Sequence, residues 1–281
     1  MTEAGDFLER PKVVRITPRS AVVLTIAAVL GLSMFFWPLF ASPQPGAQAH
    51  SADAPFIFMF TLPVLILIVL AEVSGGGIDS KALAMLGVLS AINAGLRPLG
   101  AGTGGIETVF FLLILAGRVF GPGFGFVLGS TSLFASALLT AGVGPWLPFQ
   151  MLSSSLLGLG AGLLPQRVRG RGEIAMLAAY GVVAAYFFGF VMNMWFWPFL
   201  AGTSMDPATA GLAFVPGDDL GANLHRFFVF SLLTSTFGWD TGRAITNLIA
   251  IVLVGPAVLA TLRRASRRAA FSAPVTFRSQ P

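Results

Sequence analysis

Apolar residues run along this chain in long blocks, not in strict alternation. A helix that crosses a bilayer needs roughly 20 such residues in a row. The blocks Ser20–Phe40, Ala54–Val73, Lys81–Leu96, Ile106–Phe120, Phe124–Ala141, Leu147–Leu164, Ile174–Leu200 and Trp239–Leu262 predict eight transmembrane helices. The third and fourth are short; the seventh is long enough to tilt or to project past the membrane. Phe227–Phe237 is too short to span and reads as a half-buried or external helix. The expected fold is an all-α, polytopic membrane helix bundle.

Composition agrees. Of 281 residues, 55% are apolar and 10% charged, with a mean hydropathy of +0.82. A soluble domain carries about 25% charged residues. The sequence has no Cys, which excludes thiolate metal sites, disulfides and a Cys nucleophile. His50 and His225 lie far apart, without a metal-ligand spacing. No HExxH, GxSxG or GxxxxGK[ST] motif occurs. Neither a metal nor a cofactor is expected, and the pI near 10.7 reflects membrane topology, not nucleic acid.

The basic residues set the expected orientation. Arg10, Lys12, Arg15 and Arg19 precede the first span, which places the N-terminus in the cytoplasm. With eight spans, Lys81, Arg118, Arg167, Arg169, Arg171, Arg263, Arg264, Arg267, Arg268 and Arg278 fall on the same side. Only Arg97, Arg226 and Arg243 fall outside. Localisation in the cell membrane, multi-pass, with both termini cytoplasmic, follows. Ala47-Gln48-Ala49 has the form of a signal-peptidase site, but the apolar stretch before it exceeds the about 7–15 residues of a signal peptide. The chain then divides into a basic N-terminus (1–19), two additional transmembrane helices (20–73), a six-helix core (81–262) and a basic tail (263–281).

Several features carry candidate chemistry. Gly87, Ala91 and Gly95 share one helix face, a spacing that lets helices approach closely, either inside the bundle or against another membrane protein. Gly125, Gly129, Ser132 and Ser136 form a second small face, and Pro122 between two glycines predicts a tight hairpin. Trp146, Phe149 and Gln150 open the sixth span: aromatic area and an amide suit an organic ligand. Arg97, Glu107, Asn193, Trp195, Trp197, His225, Arg226, Trp239, Asp240 and Arg243 are expected at the same outer level. The bland reading is interfacial anchors and structural pairs such as Arg97–Glu107. The substrate-binding set is expected to be Arg97, Glu107, Trp146, Phe149, Gln150, Asn193, Trp195, Trp239 and Asp240, and no catalytic set emerges. With no charged residue expected mid-span, an ion-coupled pump is disfavoured.

The segments GRVFGPGFGFVLG and GVGPWLPFQMLSSSLLGLGAGLLP, within Arg118–Pro165, resemble the substrate-binding S components of energy-coupling factor (ECF) transporters. That family carries a similar G-P-x-x-G-F-x-x-G turn and a G-P-W-T-P-W-Q-M-like segment; here Leu147 and Phe149 stand where Thr and Trp are common. The resemblance covers roughly Lys81–Leu262. It implies a binding subunit, not an enzyme, that captures a vitamin or related micronutrient from outside. It further implies docking on a transmembrane T component that carries two cytoplasmic ATPase subunits. Gly87, Ala91 and Gly95 occupy the place of the family's T-component face. Cobalamin or a related corrinoid is the first expectation for the ligand; riboflavin, pantothenate and folate remain open. The outer loop Ala201–His225, with Asp206, Asp218 and Asp219, reads as a lid or as a solvated connector. The alternatives are a membrane-embedded enzyme acting on a lipid or isoprenoid, with Asp240, His225 or Glu107 as acid/base groups, and an independent secondary transporter.

Overall fold

A computed structural model describes residues 17–36, 39, 63–64, 66–67, 71, 80–100, 104–140, 142–200 and 209–270. All regular structure among them is helical. The helices are α1 (Pro18–Phe35), α2 (Ser80–Leu96), α3 (Val109–Phe120), α4 (Pro122–Leu139), α5 (Leu147–Leu163), α6 (Arg171–Phe196), α7 (Leu220–Ser231), α8 (Thr241–Leu253) and α9 (Gly255–Ala270). A π-helical segment, Leu232–Asp240, joins α7 to α8. Most of the second predicted span, Ala54–Val73, and the Gly75–Asp79 boundary lie outside the described residues, as do Trp37, Asp206 and the A-x-A site.

Among the described residues four helices are long and apolar enough to cross a membrane: Pro18–Phe35, Ser80–Leu99 (α2 with its terminal 3-10 turn), Pro122–Leu139 and Arg171–Phe196. A fifth candidate is the bent pair Leu220–Leu253 and Gly255–Arg268, which meet at 65°. This pair differs from the expected eighth span. Phe227–Phe237 is not a separate short helix but part of a run that starts at Leu220. Asp219 caps that start, its carboxylate accepting from the Gly221 and Ala222 amides. At the other end Pro256, which has no amide hydrogen to donate, follows the break, and the chain bends there.

The core is organised around α3. Ten of its twelve residues are buried, as befits a helix that is apolar on all sides. At about 1.5 Å per residue it is about 18 Å long, well short of a bilayer's roughly 30 Å hydrocarbon core. Around it pack α4, α5, α6 and α9, while α2 lies against α4 and α8 against α6. Helix α1 is joined to the same core: Gly31 lies against Leu152, and Phe35 meets Phe149 edge-on at 5.1 Å.

Glycine sets the closest contacts. A Cβ on Gly125 would strike the Gly158 carbonyl oxygen, and one on Gly158 would strike that of Gly125. Gly117 on α3 abuts the same Gly158 carbonyl, and Gly129 lies against the Ser154–Ser155 backbone. The α3–α4 connection is the single residue Gly121, at φ +98°, with Pro122 opening α4. By contrast, Gly87, Ala91 and Gly95 are exposed on one side of α2, and a Cβ on either glycine would meet nothing among the described residues.

Gly158→Val is expected to destabilise the purified protein by about 3 kcal/mol or more, because backbone on both sides leaves no room. Gly87→Ala is expected to change stability by no more than about 1 kcal/mol. Thermal unfolding in one detergent reads both.

Candidate functional site

The π segment is the local feature from which the site is built. Such segments recur at functional positions. Their i→i+5 repeat brings residues five apart onto one face. Ser235 Oγ donates to Asp240 Oδ2 at 2.9 Å, and Thr241 Oγ1 to the Thr236 carbonyl at 2.6 Å, both across five residues. Asp240 is buried against α6 at Gly189, where any Cβ would collide with its carboxylate.

Arg243 gathers the acidic groups. Its Nη1 donates to Asp240 Oδ1 at 2.7 Å and its Nε to Glu107 Oε2 at 2.5 Å. The guanidinium also lies 5.3 Å above the Phe188 ring. Glu107 reaches it because the preceding loop rests on α8: Gly105 abuts the Trp239 carbonyl and Gly242 abuts the Gly104 carbonyl. Next to this network Arg97 Nη2 donates to Gln150 Oε1 at 3.0 Å, and Thr108 Oγ1 donates to the Leu96 carbonyl at 2.7 Å.

The expected ion pair Arg97–Glu107 is therefore not a direct contact. The loop turns Glu107 toward α8, and Arg97 takes the neutral amide of Gln150 instead. Of the nine expected site residues, Arg97, Glu107, Gln150 and Asp240 fall into this polar layer. Phe149 and Trp195 are buried and stacked at 4.5 Å, part of the core. Trp146 and Trp239 are exposed at the periphery. Asn193 bonds Ser231 at 2.7 Å, apart from the layer. Ser235 and Phe188 were missed, and Arg243 was expected at the outer level but left out of the substrate-binding set; the Asp240–Arg243 spacing of three along a helix was the available signal.

Asp240 and Arg243 lie inside a long helical run and not at its end. The helical run that holds them begins at Leu220, so both fall deep within it. On α6, Gly189 stands sixteen residues above Glu173, about 24 Å along the axis. Glu173 belongs to a second ionic cluster at the opposite end of the bundle. There the buried Arg118 donates Nε to Glu173 (2.7 Å), Nη1 to the Leu164 carbonyl (2.9 Å) and Nη2 to the Val168 carbonyl (3.0 Å). Arg263 Nη2 reaches both Glu173 oxygens, at 2.6 and 2.7 Å. The two ionic layers are closer together than a bilayer's roughly 30 Å hydrocarbon core is thick, and ionisable groups inside such a core are functional candidates.

The described part of the outer loop is fastened down. Asn223 bonds both the amide and the carbonyl of Val215, and Trp197 Nε1 donates to the Leu212 carbonyl at 2.7 Å. The Arg226 guanidinium, 2.5 Å away, holds the Asp218 carboxyl below the usual carboxylate range. His225 is exposed on α7, roughly 20 Å along the helix from Asp240, so the two do not form a catalytic pair. Among the described residues no group of three His, Asp or Glu side chains is placed to hold a metal ion. Compared with protein-family models, curated proteins and solved structures, the chain matches none.

Breaking the inner cluster is expected to be severe. Glu173→Ala leaves two arginines without their shared carboxylate, a loss of about 3–5 kcal/mol. Asp218→Asn, at the exposed pair, is expected to leave the unfolding transition in detergent where it is.

Proposed function

We propose that the chain is the membrane-embedded substrate-binding subunit of an ATP-driven importer of the ECF type. It captures a vitamin or related micronutrient from outside and docks on a T component that carries two ATPase subunits. It performs no chemistry of its own. The observation that carries this reading is the free face of α2. Gly87, Ala91 and Gly95 are the residues a helix uses to bring a neighbour close, and no described residue of this chain packs on their open side.

The charge distribution supports the same orientation. Arg118, Glu173 and Arg263 join the ends of α3, α6 and α9 at the arginine-rich end, which faces the cytoplasm together with both termini. The layer of Arg97, Gln150, Glu107, Arg243 and Asp240 then opens toward the outside. It offers a ligand charged and amide groups, with Trp146 and Trp239 at its rim. A corrinoid remains the first candidate.

One observation favours a second reading, an independent ion-coupled transporter: the Glu107–Arg243–Asp240 network lies at membrane depth. Flux in liposomes that contain this chain alone would support it over the importer.

Co-expression with a T component and ATPases, followed by affinity purification, tests the importer. The wild-type chain is expected to bring down the ATPases. Ala91→Leu, at an exposed position, is expected to reduce that recovery at least tenfold while the chain itself still folds. Recovery that is absent in the wild type, or unchanged in Ala91→Leu, would sink the reading.

A further inference from the structure

Two groups of exposed arginines meet at the Glu173 end of the bundle. Arg167, Arg169 and Arg171 follow α5 and open α6, and Arg264, Arg267 and Arg268 lie on the second half of α9. The Glu173 cluster joins the two groups. Arg118 holds the α5–α6 loop by the Leu164 and Val168 carbonyls and also reaches Glu173, while Arg263 reaches the same carboxylate from α9. Glu173 is buried and already shared by two arginines, so it does not answer the six outside. The other acids among the described residues are engaged elsewhere. Glu107 and Asp240 pair with Arg243, Asp218 pairs with Arg226, and Asp219 caps α7. None of the six exposed arginines has an ionic partner among the described residues. Like charges gathered this closely repel, and a counter-charge from outside the chain relieves them.

The surroundings of the patch show which counter-charge fits. Helix α9 leaves the preceding run at 65° and packs Leu259 and Leu262 on the bundle. Arg264, Arg267 and Arg268 recur at spacings of three and four, so they share the face that points away. On both elements, exposed apolar residues come just before the arginines. Leu163 ends α5, Leu253 and Val254 precede the bend, and Ala257 and Ala260 lie on the first half of α9, all exposed. Apolar surface followed within a few residues by basic surface is the layering of a lipid leaflet, acyl chains and then headgroups. An acidic water-soluble protein would match the arginines but leave the apolar border unmatched. The α9 dipole accounts for a cation or two in its last turn, but not for three more on the neighbouring loop. All six residues are Arg and none is Lys. The planar guanidinium is weakly hydrated and matches phosphate with two parallel hydrogen bonds.

We infer that the α5–α6 loop and the exposed face of α9 together bind the phosphate of an anionic phospholipid, whose acyl chains lie along the adjoining apolar side chains. The buried Arg118 fixes the loop backbone, and the exposed arginines make the contact. The inference stands apart from the importer reading; it requires only that the chain lies in a bilayer.

The test uses the full-length chain in a neutral detergent. Phosphatidylglycerol, phosphatidylcholine or inorganic phosphate is added, and bound lipid is counted by native mass spectrometry. Phosphatidylglycerol is expected to bind and to raise the unfolding temperature; phosphatidylcholine and inorganic phosphate are not. The triple variants R167Q/R169Q/R171Q and R264Q/R267Q/R268Q lose no ionic contact within the described residues. Each is expected to unfold at or above the wild-type temperature without lipid, yet to bind phosphatidylglycerol about tenfold more weakly or worse. Arg226→Gln, far along the helical run from α9, is expected to bind it like the wild type. Raising the salt concentration is expected to weaken binding, because the patch is exposed. The inference is overturned if phosphatidylcholine binds equally, if inorganic phosphate gives the same stabilisation, or if both triple variants bind phosphatidylglycerol like the wild type. ATPase recovery from co-expression separates the remaining case. Its loss in the triple variants, with phosphatidylglycerol binding unchanged, would assign the patch to an acidic protein and overturn the lipid.

Discussion

The contact on which this bundle depends is backbone against backbone at Gly117, Gly125 and Gly158. Lipid tails are as apolar as leucine side chains, so helices in a membrane gain little by hiding apolar surface from each other. Association rests on close packing and on hydrogen bonds between helices. Three glycines at one crossing let α3, α4 and α5 approach until main-chain atoms touch. The polar contacts between α4 and α5 follow from that distance. Ser130 and Ser155 can share a 2.6 Å hydrogen bond only because α4 and α5 are this close.

The ionic layers answer a second constraint. The central helix α3, at about 18 Å, is shorter than a bilayer's hydrocarbon core, and polar groups stand at both of its ends. Each charge there has to find a partner from another element. Arg118, at one end, takes a carboxylate and two carbonyls; Glu107, just before the other, takes Arg243. Each layer therefore also works as a clasp. The Glu173 cluster ties the amphipathic α9 to the bundle through Arg263, and the Glu107–Arg243 pair ties a glycine-rich loop to α8.

Much of the helical framework was legible in the sequence, because long apolar blocks and glycine–proline breaks report helices and their ends directly. The hairpin at Gly121-Pro122 is one such case. The last third was less legible. Periodicity read Phe227–Phe237 and Trp239–Leu262 as separate helices, since Gly238 and a run of hydroxyls interrupt the apolar pattern. The fold absorbs that interruption as a π segment, and a local widening of the helix leaves no signature in hydrophobic spacing. Of the residues the sequence singled out, Arg97, Glu107, Gln150 and Asp240 lie in one polar layer, but their pairing was not legible. Pairing depends on where a loop turns and on which helix faces it, and charge counts do not contain that. The aromatic residues Phe149 and Trp195 were drawn to the site by type alone, whereas packing places them in the core.

The lengths of α2 and α6 carry a consequence for the surrounding lipid. At about 1.5 Å per residue, α2 stands about 26 Å tall and α6 about 39 Å. Both expose apolar side chains, Val88 and Ile92 on one, Val183 and Phe196 on the other. With its terminal 3-10 turn the α2 wall reaches about 31 Å, close to a bilayer's roughly 30 Å hydrocarbon core, whereas α6 exceeds it. In a bilayer α6 has to lean or protrude, and each ångström of mismatch carries an elastic cost.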